Sequence, residues 1–233
     1  MDRTIIPELI TTLTGVVSSV SIMLVVKGEV ELAIRLIFLC LALDTLDGLV
    51  ARALNASSER GEFLDRLFDR LYQVMVPAII YVQITGWDVL SVVYSSLMIT
   101  ISFWRLARRV PSREYFAGLP LFVHTIVIVS GFLSGFVPPP WLMVLLCIAS
   151  AIPVKYYRRR TVFSHAENKG TYWHFRLAIP LLLSIAPYNK IGIAFLVIEV
   201  AILAYALLGW IPFLIREGPA GVVHRKKEKI YTL

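Results

Sequence analysis

The chain has 233 residues; 58% are of the AVILMFWYC class, 17% are charged and the net charge is +7, with a mean hydropathy of +0.74. Soluble domains hold about 45–50% apolar and about 25% charged residues, so this composition excludes an ordinary soluble domain, and the apolar content excludes a disordered chain. It reads as a polytopic membrane protein, an all-α transmembrane helical bundle, because the apolar stretches are long runs without the two-residue alternation of barrel strands.

In chain order the apolar segments fall at about 9–26, 30–54, 62–84, 89–106, 117–137, 140–157, 172–189 and 191–215, punctuated by Lys27-Gly28, Asn55-Ala56, Thr85-Gly86, Pro111-Ser112, Pro138-Pro139-Pro140 and Pro187-Tyr188-Asn189. About eight spans are expected. The first segment has no small-x-small cleavage pattern and reads as a retained helix. With both termini cytoplasmic, the inner connections carry Arg52 and Arg60, then Arg105, Arg108, Arg109 and Arg113, then Lys155, Arg158, Arg159, Arg160 and Lys169, with Arg225, Lys226, Lys227 and Lys229 in the tail. The outer connections carry Lys27 and Lys190. This is the positive-inside pattern. It explains the net charge through topology and anionic membrane lipids, with no nucleic acid partner. No repeat or separate soluble domain is visible, so residues 1–233 read as one integral-membrane domain.

The second and third segments break the apolar rule. Asp44 and Asp47 are spaced i, i+3; Asp65 and Asp69 are spaced i, i+4, so each pair shares a helix face. The helices run antiparallel about a turn near Ser57-Ser58, which sets both pairs at a similar depth, roughly 10–20 Å from that turn. Isolated carboxylates inside a membrane are costly. Four together repel unless cations balance them, and hard oxygen donors at this density suit two divalent cations, Mg²⁺ or Mn²⁺. The alternative is local: helix-start acids paired with Arg52, Arg66 and Arg70, and a Glu62–Arg66 i, i+4 pair. Gly48 and Gly61 fit close helix packing or close approach of backbone to a ligand.

The stretch Asp44-x2-Asp47-Gly48-x2-Ala51-Arg52-x8-Gly61-x3-Asp65-x3-Asp69 resembles, without a gap, the signature of the CDP-alcohol phosphotransferase (phosphatidyltransferase) family. The resemblance implies a six-helix catalytic core with the motif at 44–69. It implies that Asp44, Asp47, Asp65 and Asp69 hold two divalent metals. Gly48, Ala51, Arg52 and Gly61 would then shape the CDP-lipid site, with Asp69 as the general base. The reaction it implies moves a phosphatidyl-type group from a CDP-activated lipid to an alcohol and releases CMP. Members are often dimers, which makes a homodimer a candidate assembly.

Trp104-Arg105-Leu106-Ala107-Arg108, the Gly118-Leu119-Pro120 element and the eight segments resemble the branch that makes phosphatidylserine. That implies L-serine as acceptor, with Arg105, Arg108 and Gly118 at the acceptor site. Arg70, directly after the fourth aspartate, resembles the inositol-phosphate-using branch, so glycerol phosphate or inositol phosphate stays open as acceptor. A cation transporter is the alternative from a different class, although its acids would sit at the midplane. The expected location is the cell membrane, with the active site near the cytoplasmic face. Cys40 and Cys147 read as small hydrophobes, and the four histidines share no ligand spacing.

Overall fold

A computed structural model describes residues 4–56, 58–107, 115–157, 171–212 and 214–215. The helices are α1 (Ile5–Val26), α2 (Val30–Ala53), α3 (Glu59–Arg70), α4 (Val76–Ile84), α5 (Val89–Ala107), α6 (Phe122–Ser134), α7 (Pro140–Ala151), α8 (Thr171–Ile185) and α9 (Gly192–Leu208). A π-helical turn, Leu71–Met75, joins α3 to α4 into one rod. Among the described residues there are thus eight rods, one for each apolar segment. Two helices, α1 and α5, are by themselves long and apolar enough to cross a membrane.

Helix α1 shows why the bundle is tight at the site. Its buried residues are Pro7, Thr11, Thr14, Gly15, Ser18, Ser21 and Val25, a stripe of mostly small and hydroxylic side chains at three- and four-residue spacing. Such a stripe lets neighbouring backbones approach closely where lipid gives no hydrophobic drive to helix pairing. Ser21 donates across to the Ala33 carbonyl of α2 at 3.0 Å, and Ser18 lies 3.4 Å from the buried thiol of Cys40. The opposite face exposes Leu9, Leu13, Val16, Val20 and Met23. Large apolar side chains turned outward and small polar ones turned inward invert the soluble pattern, as expected where the surroundings are hydrocarbon.

Helices α4 to α7 enclose an apolar core around Tyr81, Tyr94, Met98, Ile128 and Met143. Tyr81 meets Tyr94 edge-on at 5.0 Å and donates to the Pro138 carbonyl at 2.7 Å. His124 is fully buried between Tyr94 (Nδ1 to the hydroxyl, 3.1 Å) and Ser150 (Nε2 to Oγ, 2.9 Å). Ser150 donates to the Leu146 carbonyl, so it accepts from Nε2–H, and the Tyr94 hydroxyl serves Nδ1. This histidine is therefore a satisfied packing residue. Cys40 and Cys147 are both buried free thiols.

The fifth and sixth segments are only partly helical, a departure from the expected boundaries. Tyr115–Ala117 (β1) pairs antiparallel with Lys155–Tyr157 (β2), Phe116 opposite Tyr156. Gly118 sits at φ +79, a conformation that favours glycine, and Pro120 delays the start of α6 to Phe122. At the other end Pro153 holds Ile152 extended and stops α7 at Ala151. Helix α9 packs against α6, and α8 packs against α2. Arg35 of α2 donates to the Ser184 carbonyl of α8 at 3.1 Å and lies 4.5 Å over the Tyr188 ring.

Candidate active site

The site forms where the C-terminal half of α2, the whole of α3 and the first two turns of α1 meet. Ser58 starts α3: its backbone is extended and its hydroxyl accepts from the Gly61 N–H at 2.9 Å, satisfying one of the free donors of a helix start. The same hydroxyl donates to Glu8 of α1 at 3.1 Å. A side chain at position 61 would place its Cβ 2.9 Å from that oxygen, so glycine keeps the three-way joint closed.

Asp44, Asp47 and Asp65 each present a carboxylate oxygen, and these oxygens lie within 4.8 Å of one another. Asp44 also lies against Asp65 and Asp69, so the structure brings all four aspartates into one cluster. Asp47 is 7% exposed and accepts from the Thr11 hydroxyl at 2.7 Å. Asp69 accepts from the Gln73 amide at 3.0 Å and lies against the hydroxyl of Tyr72, which also accepts from Gln73 at 2.8 Å. The π-helical turn places this pair: it starts two residues after Asp69, and Thr125 of α6 donates to its Gln73 carbonyl. A π turn beside a chemically active residue is a recurrent arrangement.

Helix-start placement does not account for the aspartates. Glu59 and Glu62, not Asp65 or Asp69, occupy the first turn of α3, and Arg66 pairs with Glu62.

Beside the cluster opens a cleft of about 520 Å³, lined by Asp47, Gly48, Ala51 and Arg52 of α2, by Glu59, Gly61, Glu62 and Asp65 of α3, by Pro7, Glu8 and Thr11 of α1, and by Thr4, Ala56 and Ser58. The Arg52 guanidinium folds back one turn over Gly48, 3.5 Å from where a Cβ would stand. The described lining holds five carboxylates and one guanidinium. An anionic diphosphate entering such a cleft is repelled unless cations come with it. The all-oxygen donor set and the close spacing of Asp44, Asp47 and Asp65 fit a divalent ion such as Mg²⁺ or Mn²⁺. A family model for CDP-alcohol phosphatidyltransferase matches residues 4–155.

The chain belongs to the CDP-alcohol phosphatidyltransferase family. Its match begins at the foot of α1 and ends in β2, so it takes in every residue of the cleft. The chain is also 29% identical over 137 residues to an archaetidylserine synthase of Methanothermobacter thermautotrophicus, an alignment covering 56% of this chain and 59% of that relative. The chain thus spans less than two thirds of this curated relative's length.

The residues expected at the acceptor side are arranged differently. Arg105 of α5 turns its guanidinium onto three backbone carbonyls, those of Leu119 (2.5 Å), Ala117 (3.0 Å) and Ser150 (3.3 Å). It ties the β1–α6 bend to the end of α7. Gly118 belongs to the same fastening: its N–H donates to the Val154 carbonyl at 2.7 Å, and a Cβ there would stand 2.5 Å from the Ser150 carbonyl oxygen. Arg108 lies outside the described residues.

Sequence reasoning missed the contribution of α1. Thr11, Glu8 and Gly15 carry no motif. The stripe of small residues was the available signal, and it marks a helix contact without saying what the contact supports.

Proposed function

We propose that this family member transfers a phosphatidyl-type group from a CDP-activated lipid to the hydroxyl of an alcohol acceptor, L-serine above others, with release of CMP. The observation that carries the reading is the convergence of the four aspartates beside a cleft whose lining includes Gly48, Ala51, Arg52 and Gly61. The serine preference is supported by the name of the archaetidylserine synthase relative and by the Arg105-to-Pro120 stretch. Glycerol phosphate and inositol phosphate remain the competing acceptors.

In this reading Asp44, Asp47 and Asp65, with Asp69, would hold two divalent cations. Bound there, the cations would supply neutralising charge to the diphosphate and to the departing CMP. Arg52 holds a phosphate oxygen, while Gly48, Ala51 and Gly61 leave room for the nucleotide to lie against backbone. Asp69 takes the proton of the acceptor hydroxyl, and Gln73 and Tyr72 orient its carboxylate. The acceptor oxygen forms a bond to the lipid-bearing phosphorus, the diphosphate P–O bond breaks, and CMP carries away the electron pair. Arg105 and Gly118 act here by positioning the β1–α6 bend. Arg108 is kept as an acceptor contact on its closeness in sequence to Arg105.

The chain is placed in the cell membrane with eight spans, both termini and the cleft facing the cytoplasm, on the distribution of Lys and Arg. A homodimer is the proposed assembly on family grounds. Purified protein supplied with radiolabelled CDP-lipid should release CMP when serine is added, and less with glycerol phosphate, inositol phosphate or inositol. No CMP release with any of the four overturns the reading. Divalent-ion flux in vesicles in its place would establish the transporter alternative.

A further inference from the structure

The acceptor needs a cation to recognise its charged group, and Arg105, the residue expected to supply it, is occupied by three carbonyls. Other described arginines around α3 also have partners. Arg66 pairs with Glu62, and Arg60 lies 3.9 Å from Glu8. Arg70 differs. It is the last residue of α3, directly after Asp69, and its Nε is buried with no hydrogen-bond partner among the described residues. Its charge is felt by Asp69 and by the Arg105 guanidinium.

Both features are unfavourable as they stand. A buried guanidinium N–H without an acceptor loses the hydrogen bond water would give it, and two guanidinium groups near each other repel. One anion lying at Arg70 removes both penalties. Arg70 and Asp69 are consecutive on a helix, so their side chains diverge by about 100°. A small molecule can therefore offer a hydroxyl to one and an anionic group to the other. In serine these two groups are joined through Cα and Cβ; in glycerol phosphate the spacing is somewhat longer.

We propose that Arg70 is the anion-binding residue of the acceptor site, receiving the carboxylate or phosphate of the alcohol whose hydroxyl is presented to Asp69. This rests on the transferase reading above. It gives the acceptor a place on the α5 side of Asp69, away from the cleft that α1 lines. The nucleotide and the acceptor then approach the aspartate cluster from different sides.

The test uses the full-length purified chain and two acceptor pairs that differ by the anion: serine with ethanolamine, and glycerol phosphate with glycerol. In the wild type the anion-bearing member of at least one pair should be preferred. Arg70→Gln should raise KM for that acceptor roughly ten- to a hundredfold and abolish the preference. KM for the CDP-lipid should stay within about twofold. Arg70→Lys separates the sources. It keeps much of the affinity for a phosphate, which a point charge can hold, and loses most of it for a carboxylate gripped by the planar fork. An unchanged acceptor KM in Arg70→Gln, or an anion preference that survives it, overturns the proposal while leaving the transferase reading intact. If the wild type releases no CMP with any acceptor, that reading fails instead. Calorimetric titration of serine and glycerol phosphate into wild type and Arg70→Gln then decides for Arg70 alone. Binding that depends on Arg70 supports the site, and binding that ignores it, or none, rejects it. Should Arg70→Gln fail to fold, Arg70→Met, which keeps the apolar stem and removes the charge, carries the same comparisons.

Discussion

The ring of Phe68 on α3 lies against the bare backbone of Gly15 on α1, so close that a Cβ at position 15 would stand 2.6 Å from two ring carbons. Phe68 sits between Asp65 and Asp69 in sequence, so this contact fixes how near the aspartate-bearing helix comes to α1. Thr11, one turn earlier on α1, bonds Asp47 of α2. One helix thus gauges both carboxylate-bearing partners.

Gly15→Leu should force the ring and α3 outward. Overpacking of this kind costs about 1–3 kcal/mol, read as a lower melting temperature in detergent. Activity should fall further than stability alone explains, since Asp65 and Asp69 move with the ring. Adding Phe68→Ala to Gly15→Leu should restore part of the stability. Simple additivity of the two changes would show that the contact does not set the spacing.

Thr11→Val keeps the side chain's shape and removes the hydrogen bond to Asp47. Partners that orient a metal-binding carboxylate typically change metal affinity by about 10–100-fold when removed. The divalent-ion concentration for half-maximal activity should therefore rise by about tenfold or more, with kcat at saturating metal little altered. Thr11→Ser should behave as the wild type. If Thr11→Val shows an unchanged metal requirement, the bond is packing only.

How far the residue order shows this arrangement differs from part to part. The eight rods and the facing of the two aspartate pairs are local matters of run length and helical period, and both are legible. The π turn at Leu71–Met75 is not, because a one-residue shift in hydrogen bonding has no side-chain signature; it is held by Thr125, 52 residues further along the chain, which donates to the Gln73 carbonyl. The β1–β2 pair falls at the edges of the fifth and sixth apolar segments, where hydropathy does not mark a strand. Arg105 shows the limit of motif reading: its position suggests an anion site, and only the fold reveals the three carbonyls that take its fork.

Arg105→Gln should therefore act on stability. Losing charge-assisted bonds to the Ala117, Leu119 and Ser150 carbonyls leaves buried acceptors unsatisfied, at a cost of about 3 kcal/mol. The expected result is a large drop in melting temperature and a lower kcat, with KM for serine changed little in the protein that remains folded. A selective rise in that KM with normal stability would return Arg105 to the acceptor site.

The aspartate cluster gives the last prediction, in which stability and activity move in opposite directions. In EDTA, Asp44 lies against three other carboxylates with no metal charge to balance them, so the native state holds repulsion that the unfolded chain escapes. Asp44→Asn removes one member of the cluster and keeps its shape. The variant should be more stable than the wild type in EDTA by about 1 kcal/mol, or ~2–4 °C in a chain of this size. Adding Mn²⁺ or Mg²⁺ should raise the wild-type melting temperature and largely close or reverse that gap. The variant should respond weakly, having lost a ligand. Its CMP release should fall by orders of magnitude at any metal concentration, whereas the wild type should lose activity in EDTA and regain it on adding metal. A variant less stable than the wild type in EDTA would show that Asp44 is held by favourable contacts and not strained by its neighbours. Full activity in Asp44→Asn, or in wild type kept in EDTA, would remove the divalent ions from the reaction altogether.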